Sequence, residues 1–232
     1  MKRSPRGSST PFSTVEGTGP DRVLEFASQA VEYVRRALGV TMEYDSETLP
    51  ILDHYLRQVT TGPKNGSGPQ ARATELVAAT AGAYFGEVVR RRLGGSWNLT
   101  AGDPGTWRLV LPSGLWFWPT AVAMAAILGP DGDTSKRAAI DPDDPDDDPD
   151  MDDLPVDDLD DGPSGAPWDA SLQAPPLLRS HVARVLSSMA DVSEDEYYSL
   201  CCRLDTLEHV QAVLAAMASA RRDRSGGPGA LD

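Results

Sequence analysis

Apolar residues recur every three or four positions over 21–38, where Val23, Ala27, Ala30, Val31, Val34 and Leu38 fall on one face, with Pro20 ahead and Gly39 behind. At 3.6 residues per turn such positions stack above one another, so the spacing predicts an amphipathic helix. An extended piece over 40–44 leads to Asp45 and Ser46, either of which suits the cap of a second helix. That helix is predicted to run to about Val59 with Leu49, Leu52, Tyr55, Leu56 and Val59 inward. Residues 61–70, rich in Gly, Pro and Asn, read as a loop. A third helix is predicted over 71–93, with Ala78, Gly82 and Gly86 four residues apart. Each glycine weakens a helix by about 1 kcal/mol relative to alanine, so this small-residue ridge predicts a close partner that offsets the loss. Arg90, Arg91 and Arg92 suit the negative pole of that helix, and Gly94 and Gly95 end it.

Beyond Ser96 the period shortens. Residues 97–100, 106–111 and 115–118 read as strands separated by turn residues at 101–105 and 112–114, which predicts a three-stranded antiparallel meander. Trp97, Trp107, Trp116 and Trp118 all lie in it. Its predicted role is to cover the Gly82 and Gly86 ridge, because tryptophans at sheet spacing belong to a core. Pro119 and Thr120 open a short helix to Leu128. Further on, a helix is predicted over 176–190 with Leu178, Val182, Val185, Leu186 and Met189 inward. Ser193 with Glu196 forms a capping-box pattern, and a last helix spans 206–222. The fold class expected is α+β, mainly helical with the small three-stranded antiparallel meander. Residues 21–128 and 175–222 are expected to pack as one composite domain.

Charge changes this picture in one place. Between 141 and 161 stand thirteen aspartates and four prolines with no glutamate and no basic residue, so that this stretch carries −13 of the formal −14. The rest of the chain is almost neutral. Residues 129–174 are therefore expected to be an acidic, disordered, self-repelling linker, and the Ser, Pro and Gly rich stretches 1–20 and 223–232 disordered arms. An EF-hand calcium loop is excluded: the register ending at Gly162 puts Leu159 where a ligand belongs and Pro163 directly after, with no downstream glutamate. The basic clusters at 90–92 and 221–224 are short and the acidic run would repel phosphate, which argues against nucleic acid. The longest apolar stretch, 115–128, falls short of the roughly 20 residues of a spanning helix, and residues 1–20 lack the apolar run of a secretory signal. With Cys201 and Cys202 adjacent and unable to staple distant parts, a cytoplasmic protein is expected.

Catalytic chemistry has no recognisable home in the sequence. His54, His181 and His209 lie on three separate predicted helices without metal-ligand spacing, and neither Asp53 with His54 nor Glu208 with His209 shares a helix face. Nucleophile-elbow and phosphate-loop motifs are missing. No catalytic residue, cofactor or metal is therefore assigned. Glu87 stands out on the glycine-ridged helix, with Arg90 and Arg91 at i+3 and i+4. It reads as an ion pair of a few tenths of a kcal/mol, or as a buried carboxylate bonded to Trp97 or Arg108. Tyr84, Glu87, Trp97, Arg108, Trp116 and Trp118 form the candidate interaction or pocket group.

The segments GAYFGEVVRRRLGGSW at 82–97, WRLVLPSG and LWFWP within 107–119, and EDEYYSL at 194–200 resemble conserved proteins of unknown function from GC-rich bacteria such as myxobacteria. The resemblance implies one folded unit on both sides of the acidic run, and supplies no catalytic residues. The function expected is non-enzymatic: a regulatory or immunity-like protein that binds another protein, with the acidic run meeting a cationic partner. The alternative is an enzyme or small-ligand binder with a pocket between helix 71–93 and the tryptophan meander, where Tyr84, Glu87 and Arg108 would converge. An oligomerising module would follow from tryptophans exposed on one sheet face.

Overall fold

Twelve successive residues, from Ala78 to Val89, are buried in the middle of one helix. A helix hydrophobic on one stripe buries only that stripe, so neighbours must surround this one on every side. It is α3 (Pro69–Leu93) in a computed structural model that describes residues 19–59, 69–99, 102–129 and 172–225. Around it lie α1 (Gly19–Leu38), α2 (Leu49–Val59) and α4 (Pro119–Leu128), with α7 (Leu200–Ser225) from the far side of the acidic run. Two shorter helices, α5 (Pro176–Ser187) and α6 (Glu194–Tyr197), precede α7.

The α+β class is as expected, mainly helical with a small antiparallel sheet. The sheet has four strands rather than three: β1 (Ser96–Asn98), β2 (Arg108–Val110), β3 (Trp116–Phe117) and β4 (Leu172–Gln173), in that order. Leu172 pairs with Phe117 and Gln173 with Trp116. The expected linker 129–174 therefore gives up its last residues to the sheet. β4 was illegible because two residues beside an acidic run carry no periodicity; its partner supplies the order. Residues 1–18, 60–68, 100–101, 130–171 and 226–232, with the acidic run and most of the expected loop 61–70 and of both expected arms, lie outside the described residues; the last two residues of the first arm, 19–20, and the first three of the second, 223–225, are helical instead, in α1 and α7.

Register assigns the faces. Trp97, Leu109, Phe117 and Leu172 stand opposite one another and face inward, whereas Ser96, Val110, Trp116 and Gln173 share the outer face. Trp97 reaches α3 at Gly86, where an added Cβ would stand 2.2 Å from the indole. Gly82 takes the start of α4 instead, with the Thr120 backbone 2.6 Å from a Cβ built there. The ridge is covered as its spacing required, by the meander at one glycine and by α4 at the other.

Three other expectations need correction. Ser193 opens α6 without any side-chain capping bond, so the capping box is not formed. The last helix begins at Leu200, not at residue 206, and α5 ends at Ser187, not residue 190. α7 buries Leu200, Leu204, Leu207, Val210 and Leu214, a stripe that continues the core formed by Val23, Ala27, Ala30 and Val34 of α1 and Leu49, Leu52 and Leu56 of α2.

Gly82→Ala is expected to destabilise the protein by about 2–3 kcal/mol, because its Cβ meets backbone that no rotamer change can move, and this exceeds the gain of about 1 kcal/mol in helix propensity. Gly86→Ala meets a side chain and should cost less. Urea unfolding of both variants measures the difference.

Candidate functional site

Of the six residues singled out by sequence, two sit together in a network on α3. The Tyr84 side chain is fully buried. Its hydroxyl accepts the Tyr44 N–H at 2.9 Å and lies 2.6 Å from Thr48 Oγ1. Thr48 itself donates to the Asp45 carbonyl at 2.6 Å, which leaves Tyr84 as the donor to Thr48. Tyr44 stands at φ 59°, a left-handed conformation that disfavours a bulky residue. Three contacts hold it there: the bond to Tyr84, a stacked ring pair with Tyr84 at 4.9 Å, and the Arg91 guanidinium 4.4 Å above its ring.

Arg91 links this group to Glu87, which is 3% exposed. Arg90 grips the carboxylate with two bonds of 2.8 Å, and Arg91 adds one of 3.0 Å. Burial alone would raise the Glu87 carboxyl, but the hydrogen bonds and charges of Arg90 and Arg91 outweigh it and hold the group below its usual range. Each reading of Glu87 was right in part: the ion pair named the correct partners, Arg90 and Arg91, and the alternative its burial, but not its partners, which are neither Trp97 nor Arg108. Trp97 covers Gly86, and its buried Nε1 has no hydrogen-bond partner. Arg108 stacks on Trp116 at 5.0 Å on the outer sheet face, and Trp116 meets the buried Trp118 edge-on at 4.7 Å. Tyr84 and Glu87 thus spend their polar groups on neighbours in α3 and the 44–48 turn, and Arg108 lies over a different surface, so the three do not converge.

The structure assembles a second site that the sequence did not reveal. Asp53, on the buried side of α2, reaches the first turn of α7: Oδ1 accepts the Leu200 N–H at 2.7 Å and Oδ2 accepts the Cys201 N–H at 3.2 Å. Ser199 Oγ accepts the next amide, from Cys202, at 3.1 Å, and the amide of Ser199 itself donates to the Glu196 carbonyl at 3.0 Å. A helix N-terminus leaves four amides without partners in its own ladder, and here all four are satisfied. Ser199 ahead of an apolar run was a readable cap signal. Asp53, 147 residues away, was not.

Beside this cap opens a cleft of about 340 Å³, lined by Asp53 and Arg57 and by Asp195, Glu196, Ser199 and Cys201. Burial pushes the Cys201 thiol up, and its hydrogen bond to Asp53 and that carboxylate's charge push it further, which favours the thiol over the thiolate. Desolvation raises Asp53 too, against the hydrogen bonds from Leu200 and Cys201 that lower it. His54 points to solvent and pairs with Gln58 at 2.9 Å. Arg203, 2% exposed, lies 4.3 Å over the Tyr197 ring. Among the described residues no cluster of His, Cys, Asp and Glu could hold a metal ion, and no helix is long and apolar enough to cross a membrane. No family model, curated protein or solved structure matches the chain.

The two buried carboxylates carry opposite pH signs. The lowered Glu87 stabilises the fold above its unfolded value, near 4.5, and that contribution fades as pH falls through its folded value. The raised Asp53 binds a proton in the folded state first, so its contribution grows as pH falls and is complete below the unfolded value near 3.8. Stability against pH is therefore expected to lose its acid-side decline in Glu87→Gln and its opposing rise in Asp53→Asn. At neutral pH Asp53→Ala should cost about 2–3 kcal/mol, since two buried amides lose their acceptor. It should also speed alkylation of Cys201, which a thiol-labelling time course measures.

Proposed function

We propose that the chain is a non-enzymatic, regulatory or immunity-like protein that acts by binding another protein, and that its aspartate-rich stretch engages a cationic surface on that partner. The supporting observation is where charge is spent. Glu87 pairs with Arg90 and Arg91, Asp53 takes the amides of α7 as hydrogen-bond donors, and Glu208 pairs with Arg92 at 2.7 Å. The 13 negative charges of 141–161 stand against a remainder of the chain close to neutral. A charge of one sign so concentrated favours encounter with the opposite sign and raises association rates more than it deepens the final affinity. Two of the reactive groups of the body point the same way: burial favours the thiol form of Cys201, and Glu87 is tied up in its ion pairs.

Affinity capture with the full chain and with a chain lacking 141–161, each at low and high salt, tests this reading. The full chain is expected to retain a basic protein that is lost on deletion, and lost again near 1 M salt, where screening acts over about 3 Å. Capture of the same protein by the deleted chain, unchanged by salt, would refute a role for the acidic run.

A further inference from the structure

Residues 130–171 connect the described residues up to 129 with those from 172 onward. Residues 172–225 bury their apolar side chains in the same core cluster as residues 19–129. β4 pairs with β3, and α7 sets its buried stripe against α2, α3 and α4. Its first turn is closed by Asp53 of α2, and Arg92 of α3 pairs with Glu208. All these contacts are non-covalent and lie outside the connecting stretch.

We propose that the surface formed by β3, α2, α3 and α4 is an association site for residues 172–225 that works without the covalent connection, so that this segment of a second copy of the chain docks on it as the chain's own segment does. A second copy is the occupant that fits, since it carries the same apolar stripe, the same amides for Asp53 and the same carboxylate for Arg92. The connection imposes no short hinge against exchange: 42 residues extend up to roughly 140 Å. Exchanged and unexchanged forms make identical contacts, and concentration decides between them.

The test cuts the folded full chain at one engineered protease site placed within 141–161. Both pieces are expected to travel as one species in gel filtration and to melt at a temperature that depends on concentration, as a bimolecular pair does. Their separation under native conditions would overturn the proposal. Asp53→Ala in the same background should raise the dissociation constant of the pieces at least about ten-fold, while solvent-facing His54→Ala leaves it unchanged. Equal effects of the two would remove the cap from the site. For the second copy, the uncut chain refolded at high concentration is expected to give a dimer that cutting converts into monomer-sized pairs without loss of helical signal. Monomer alone at every concentration, or a dimer that survives the cut, would refute exchange.

Discussion

A helix walled in on all sides sets the terms for everything else in this protein. α3 has no face left for water between Ala78 and Val89, so every neighbour is positioned against it, and its glycines decide how near each neighbour comes. Two glycines weaken the isolated helix by about 2 kcal/mol together, a penalty that only close packing offsets. At Gly82 that packing is backbone against backbone, and at Gly86 it is an indole against the helix. The meander and α4 are therefore seated by the same row of missing side chains.

Polar groups in such an interior must find partners or destabilise it. Glu87 and Asp53 solve the problem in opposite ways. Glu87 keeps its charge by drawing two guanidiniums from the next turn, both of which remain partly in water. Asp53 meets amides and a thiol rather than a full opposite charge, so desolvation dominates and the proton is held more tightly. The first arrangement is local to one helix. The second joins α2 to a helix far along the chain, and is the polar counterpart of the leucine stripe beside it.

What could be read in advance follows this division between local and distant. The helices of 21–38 and 71–93 declare themselves by period, and the small-residue ridge announced a close partner before any coordinates. The arginine partners of Glu87 were legible because both lie within one turn of it; its burial was legible only in the other reading, which gave it the wrong partners. β4 and the role of Asp53 were not, since each depends on a residue brought near only by the completed fold, whereas the start of α7 had a local signal in Ser199 that went unread. The acidic run hid β4 further, because its composition made the whole of 129–174 look uniform. The pocket expected among Tyr84, Glu87 and Arg108 failed for a related reason: sequence shows which polar groups share a neighbourhood, and not which nearer partner takes each first.

The span between Asp53 and Leu200 also has a meaning in time. At ribosomal rates of roughly 5–20 residues per second, the carboxylate is made on the order of ten seconds before the amides it will accept. For that interval the nascent chain presents the groove awaiting α7, with its leucines and one dehydrating carboxylate uncovered. That surface is open to aggregation during the lag, and the thirteen aspartates of 141–161 are synthesised within it.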